Sequence, residues 1–266
     1  MITTNDGVGL HVTDEGDGEA VVLIAGYTAP ATTWAFQREA LLDAGYRVVA
    51  IDRRNHGESD KVAHGQRVAR HAQDVRQVLE ALDVRDAVLV GGSMGASTIW
   101  SYVDLYGTDR VRAIVSIDQT PRMRNSDEWA YGYYGFDDSN CGTFFQGSIP
   151  QTGRGFTVEQ QLVGLQRLVD KLGPKAGALR GGITPETLPL LFDHAQQDWR
   201  DVVERVEVPV LMLAGRDSQM WPCEHATAMA ERNAHVRAHV IEDCGHAANI
   251  DQPEALNAAI LEFLDR

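Results

Sequence analysis

The chain has 266 residues, 44% of them hydrophobic and 23% charged. At ~100–200 residues per domain this is one large domain or two small ones, and a chain this long buries roughly three quarters of its surface, which excludes the disordered, collagen-like and small disulfide-rich classes. Asp and Glu number 38 against 24 Lys and Arg, a net charge of −14. An acidic surface repels phosphate backbones, so neither nucleic acid nor an anionic membrane is expected as a partner.

The three cysteines, Cys141, Cys223 and Cys244, are odd in number and fit no zinc spacing, so reduced thiols and no metal are expected. Met1–Val12 has neither a basic nor an apolar signal region. The longest apolar stretches, such as Ala20–Ala25, fall far short of the ~20 residues that span a bilayer. A cytoplasmic protein is expected, and the sequence carries no signal for an oligomeric state.

In chain order, Ile2–Thr4 and Val8–Thr13 flank Asn5-Asp6-Gly7, a hairpin signal. Ala20–Ala25 is apolar throughout, as a strand buried on both faces would be, and Tyr46–Ile51, Ala87–Val90, Val111–Ile117, Val208–Ala214 and Val236–Ile241 follow in the same style. Between them, Val68, Ala72, Val75, Leu79 and Leu82 place one apolar stripe on a helix. Leu256, Ile260 and Phe263 do so near the C-terminus, where Pro253 suits a first helical turn. Such alternation predicts an α/β fold, a mostly parallel doubly wound sheet with helices on both faces. It breaks between Gln119 and about Arg205. That stretch carries Trp129, Tyr131, Tyr133, Tyr134, Phe136, Phe144 and Phe145, then a helix with Thr157 and Gln160 as its capping box and a stop at Gly173-Pro174. The expected organisation is a core of residues 1–118 and 206–266 carrying an inserted helical segment, 119–205.

Gly91-Gly92-Ser93-Met94-Gly95 follows a predicted strand and precedes a predicted helix, the setting in which G-x-S-x-G presents a nucleophile above a sheet edge at a helix N-terminus. A serine needs a base. Of nine histidines, His64, His71, His11, His235 and His239 lie on or beside predicted elements and read as surface residues. His246, in Asp243-Cys244-Gly245-His246, lies in the loop after the last strand. The base needs an acid to hold its tautomer, and Asp217 lies in Ala214-Gly215-Arg216-Asp217, a Gly-x-Asp turn just past the strand Val208–Ala214. Ser93, Asp217 and His246 all fall at carboxyl ends of strands, where open parallel sheets bind ligands, in the order serine, acid, histidine.

With these features the whole chain resembles the α/β-hydrolase superfamily. Ile24-Ala25-Gly26-Tyr27 is similar to its oxyanion loop, with Ala25 in place of the usual histidine. Asp52-Arg53-Arg54-Asn55-His56-Gly57-Glu58-Ser59 is similar to its D-x-R-G-x-G-x-S segment, with Asn55 in place of a glycine, the substitution that best tolerates positive φ. Gly245-His246 followed by Asp251-Gln252-Pro253-Glu254 matches its C-terminal end. Within the superfamily the chain looks like small esterases, lactonases and cofactor-free haloperoxidases.

The resemblance implies acyl transfer without a cofactor. Ser93 would attack an ester or lactone carbonyl, His246 would take its proton, Asp217 would orient the imidazole, and the backbone N–H groups of Tyr27 and Met94 would hold the oxyanion. Asp118, at the end of the strand Val111–Ile117, is the alternative acid, since some members place the acid there. A serine nucleophile disfavours dehalogenase and epoxide-hydrolase chemistry, which needs an aspartate. The inserted segment would act as a lid, with Trp129 and Tyr133 expected to face the substrate and Trp221 to wall the pocket. The competing readings are a perhydrolase or haloperoxidase using the same three residues and, in another class, a small-molecule receptor built on this fold.

Overall fold

The computed structural model describes residues 1–179 and 182–265. Gly7, at φ 83°, turns the chain between β1 (Ile2–Thr3) and β2 (Gly9–Leu10), which pair antiparallel. The predicted strand Val8–Thr13 breaks at His11, whose N–H bonds the Ser59 hydroxyl at 2.8 Å instead of a strand. Beyond it, β3 (Val12–Glu15) joins the main sheet as its antiparallel edge.

The buried apolar runs become the parallel strands. Chain order gives β4 (Ala20–Ile24), α1 (Ala35–Asp43), β5 (Arg47–Ile51), α2 (Val68–Ala81), β6 (Ala87–Gly92), α3 (Met94–Tyr106) and β7 (Val111–Ile117). After the inserted segment come β8 (Val210–Gly215) and β9 (Val236–Ile241). The sheet order is β3-β5-β4-β6-β7-β8-β9, parallel from β5 to β9. This is the predicted α/β architecture. Alternate residues feed two separate cores, as a sheet covered on both faces requires. Val22, Ile24, Leu89 and Ile114 pack with Val75, Leu79 and Trp100 of α2 and α3. Val21, Leu23, Val90 and Val115 pack with Leu41 of α1 and with Leu256 and Ile260 of the last helix.

Between β7 and β8 the described residues add no strand to this sheet. They form α4 (Val158–Leu172), a 3₁₀ segment at Gly173–Ala178, α5 (Leu188–Ala195) and α6 (Arg200–Arg205). Thr157 and Gln160 make the expected capping box, and α4 stops at Gly173, φ 54°. The two ends of the segment meet where the Trp199 N–H donates to the Pro121 carbonyl at 2.9 Å. The chain finishes with α7 (Glu224–Ala230), the short α8 (Ala248–Asp251) and α9 (Pro253–Leu264), which has proline in its first turn.

From β4 the chain adds β5 on one side, then crosses back to lay β6 on the other. The crevice between the carboxyl ends of β4 and β6 is therefore the topological switch point, the place where such sheets bind ligands. The strands end in step: Ile24 pairs Gly91, Gly92 pairs Ile117 and Gly215 pairs Ile241. Residues just past each strand thus line one edge.

Candidate active site

Ser93 sits one residue past β6 and caps α3 with φ 52° and ψ −129°, a conformation unfavourable for any residue with a Cβ. The fold holds it there with a 2.9 Å hydrogen bond from its N–H to the Ile117 carbonyl. The flanking glycines are steric requirements. A Cβ on Gly95 would overlap the Ile24 carbonyl oxygen, and one on Gly91 would overlap the backbone of Gly95 and Ala96.

The Ser93 Oγ lies 3.0 Å from Nε2 of His246, and Nδ1 of His246 lies 2.6 Å from Oδ2 of Asp118. The acid in contact with the histidine is therefore Asp118, and the expectation for Asp217 is corrected. Asp118 follows β7 with its backbone at φ 42°, and its carboxylate is fully sealed from solvent. Its Oδ1 accepts the Gly215 N–H at 2.9 Å, and Oδ2 also accepts the Ser218 hydroxyl at 2.7 Å. The turn Gly215-Arg216-Asp217-Ser218 supplies donors for the acid instead of the acid itself. Within it the Asp217 backbone is committed elsewhere: its N–H donates to the Cys244 carbonyl and its carbonyl accepts the Phe156 N–H, each at 2.9 Å. With Asp118 accepting at Nδ1, the proton of a neutral imidazole stays on Nδ1 and Nε2 is free to accept from Ser93.

His246 is steadied from other sides as well. Its N–H donates to Oε1 of Gln219 at 2.8 Å, and the Trp221 ring meets its imidazole edge-on with centroids 5.3 Å apart. Asp251 receives the Gly245 N–H at 3.2 Å and is buried. That burial raises its carboxyl to about 6, against the opposing pull of its backbone donors and His246. The folded protein thus keeps a proton on Asp251 that the unfolded chain loses near pH 4, so this group's contribution falls as pH rises through about 4–6. Asp251→Asn should therefore gain stability relative to the parent across that window, on the order of 2–3 kcal/mol, read as the change in their difference between urea unfolding at pH 4.5 and pH 7.5. An unchanged difference would mean that Asp251 is ionised without penalty.

The loop after β4 closes the other side. A Cβ on Gly26 would lie 3.1 Å from the Ser93 Cβ, so the oxyanion-loop candidate Tyr27 and the α3 residue Met94 flank the hydroxyl and line the same cavity. Where a histidine would support this loop, Ala25 cannot. Arg53 takes the role, donating from Nη2 to the Gly26 carbonyl at 2.7 Å. Arg53 is buried against two histidines, with Nη2 3.1 Å from His56 Nε2 and Nη1 3.3 Å from His71 Nδ1. Burial lowers its guanidinium to about 9 and holds both histidines well below their usual range, so neutral rings accept its protons. His71 is accordingly a buried partner of Arg53 and not the surface residue expected. Asn55 has the positive φ expected, 63°, and its side chain clamps the turn through both the N–H and the carbonyl of Val62.

Above Ser93 and His246 lies a cavity of about 350 Å³. Tyr133 and Trp221 line it, with Leu162, Leu165 and Leu191 from the inserted segment. Trp129 does not. It is buried away from the cavity, its Nε1 donates to the Arg122 carbonyl at 3.0 Å, and the guanidiniums of Arg200 and Arg232 each stand 5.6 Å from its ring. A wider cleft near Asp52 and His56 contains neither Ser93 nor His246 and lacks this chemistry.

The sequence matches the family described as alpha/beta hydrolase fold over residues 19–253. The chain belongs to this family. A non-heme chloroperoxidase of Streptomyces lividans is 32% identical to this α/β hydrolase, covering 99% of this chain and 98% of that one. A bifunctional esterase/perhydrolase of Acinetobacter calcoaceticus is 29% identical over 99% and 98%. A crystal structure of a bromoperoxidase from Bacillus anthracis superposes with a TM-score of 0.79 at 26% identity, covering 98% of this chain and 96% of that one. Among the described residues no helix is long and apolar enough to cross a membrane.

The sequence reading missed Ser218 and Gly215 as supports of the acid, Arg53 as the loop's anchor, and His194, which lines the cavity. Arg53 and Gly215 stood inside segments already singled out, Gly215 as part of the turn read for Asp217.

Proposed function

We propose that this α/β hydrolase cleaves carboxylic esters or lactones of small, mostly apolar substrates through an acyl-enzyme on Ser93. The observation that carries the reading is the line of hydrogen bonds from Ser93 through His246 to Asp118, ending beneath an apolar cavity. His246 takes the Ser93 proton as Oγ attacks the carbonyl carbon. The buried Asp118 carboxylate stabilises the imidazolium. The N–H groups of Tyr27 and Met94 receive the oxyanion, and the helix dipole of α3 adds to their field. The imidazolium then protonates the leaving alcohol oxygen as its bond to the acyl carbon breaks. His246 next draws a proton from water, whose oxygen attacks the acyl carbon, and the bond from Ser93 Oγ to that carbon then breaks as the imidazolium returns the proton to Oγ and the acid leaves. The segment 119–205 acts as a lid, since Tyr133, Leu162, Leu165 and Leu191 form much of the cavity wall.

A second reading uses the same acyl-enzyme. Hydrogen peroxide replaces water as the attacking group, so that a peracid leaves and Ser93 is regenerated. The likeness to the chloroperoxidase and the esterase/perhydrolase favours testing it. The experiment is a panel of p-nitrophenyl esters and lactones, with acetate plus peroxide in parallel, on wild type and Ser93→Ala. Both activities should fall at least ~10³-fold in the variant while its fold is retained, and a fluorophosphonate should label wild type alone. Labelling of Ser93→Ala at the wild-type rate would remove Ser93 from the mechanism. Binding without turnover in wild type would favour a receptor.

A further inference from the structure

The cavity wall is apolar apart from a few polar side chains, and most of those are already engaged. The Tyr27 hydroxyl bonds Thr187 at 3.1 Å, that of Tyr133 bonds the Pro150 carbonyl at 2.5 Å, and the Asn249 amide bonds the Thr33 carbonyl at 2.8 Å. The indole nitrogens of Trp34 and Trp221 have no partner either but are sealed from the cavity, whereas His194, on α5 of the inserted segment, is different. It lines the cavity, is 4% exposed, and neither ring nitrogen hydrogen-bonds another described residue. Its Nδ1 is sealed off entirely, which leaves Nε2 as the atom open to the cavity. A ligand cannot reach the sealed Nδ1, so Nε2 is the atom for which a bound ligand would supply the partner. Burial, helped by the positive charge of Arg53, lowers this imidazole to about 3. At neutral pH it is therefore uncharged and offers one hydrogen bond without attracting a carboxylate.

We propose that His194 is a specificity-determining residue that hydrogen-bonds a second oxygen of the substrate, so that the preferred substrate is an uncharged ester or lactone whose apolar acyl body carries one hydroxyl or carbonyl away from the scissile group. This rests on the hydrolase reading above and extends it to the far end of the pocket. An apolar pocket discriminates weakly between chains differing by a methylene. A site built to hydrogen-bond a hydroxyl strongly rejects the analogue that lacks it. The lid helix α5 thus contributes a chemical requirement as well as a shape.

The test compares ethyl hexanoate, ethyl 3-hydroxyhexanoate, ethyl 5-hydroxyhexanoate and monoethyl adipate in a pH-stat, on wild type, His194→Leu and His194→Gln. Wild type should prefer at least one hydroxy ester over ethyl hexanoate by about tenfold or more, with monoethyl adipate slowest. His194→Leu should lose that preference, its kcat/KM falling about tenfold or more further on the preferred hydroxy ester than on ethyl hexanoate, and His194→Gln should restore part of it. A parallel loss on all four esters would make His194 structural, and an unchanged ranking or a preference for monoethyl adipate would equally overturn the proposal. Binding of the hydroxy esters to Ser93→Ala, with and without His194→Leu, is read by calorimetry and needs no turnover. Failure of hydrolysis with His194-dependent binding would count against the mechanism on Ser93 and not against His194, whereas equal binding by both proteins would count against His194.

Discussion

Replacing Asp118 by Asn should lower kcat by about 10³–10⁴-fold, whereas Asp217→Asn should leave it within about threefold of wild type. The hydrogen bonds around residue 118 set the direction. Oδ1 accepts the Gly215 N–H, and Oδ2 faces Nδ1 of His246. In the Asn variant the side-chain oxygen stays on the Gly215 N–H, because the amide NH₂ cannot accept it. The NH₂ then points at His246 Nδ1, which must turn acceptor, and the imidazole proton moves to Nε2. That nitrogen faces Ser93 at 3.0 Å and no longer has a lone pair with which to take the serine proton. The variant should fold, since the change is isosteric and Ser218 can accept from the new amide. Asp217 makes no contact with the imidazole, so its amide changes none of this. Ester hydrolysis measured on the two purified variants decides between them, and a larger loss in Asp217→Asn would reverse the assignment of the acid.

The buried strands and the turn of Ser93 were legible because each is a local pattern. An apolar run of five or six residues bounded by turns has few other uses, and Gly91, Ser93 and Gly95 stand together within five residues, although the steric condition is set by the turn itself at Gly91 and by the passing end of β4 at Gly95. The acid was not legible in the same way. Asp118 is the first residue past β7 and Asp217 the second past β8, and both strand ends lie on the same edge. What separates them is where the carboxylate finds donors. Those donors, the Gly215 N–H and the Ser218 hydroxyl, lie about a hundred residues from Asp118 in the chain. The Gly-x-Asp spelling beside Gly215 pointed to Asp217, when the same turn was bent to receive Asp118. Trp129 was misplaced for a similar reason. An aromatic in an inserted segment is equally suited to a cavity wall or to cation–π contacts, and only the positions of Arg200 and Arg232, which come together with the fold, decide. His71 and His194 sit on helices whose buried faces depend on what packs against them, so periodicity alone did not mark them as interior.

A methyl group on Gly95 should be among the most damaging small changes in the molecule. Gly95 is the second residue of α3, and its missing side chain is where the carboxyl end of β4 passes: a Cβ there would overlap the Ile24 carbonyl oxygen and crowd that of Ala25. Neither neighbour is a flexible side-chain tip. Both are backbone, tied into the sheet by the pairing of Ile24 with Ile51 and Gly91. The helix and the strand end must therefore separate, and that separation opens the crevice between Tyr27 and Met94, the two N–H donors proposed for the oxyanion. Overpacking of this kind costs about 3 kcal/mol, a sizeable part of an ordinary domain's stability. Loss of donor alignment should lower kcat a further ~10²-fold in whatever fraction remains folded. Two comparisons isolate the cause. Gly92→Ala would bring its Cβ only within 3.3–3.4 Å of the Trp34 ring, a contact that a small ring shift relieves, so its effect should be clearly smaller. Gly142→Ala meets nothing within 4 Å and should be close to neutral. Urea unfolding and ester hydrolysis on the three variants give the ranking, and a Gly95→Ala protein with wild-type stability and kcat would show that β4 and α3 do not need this close approach.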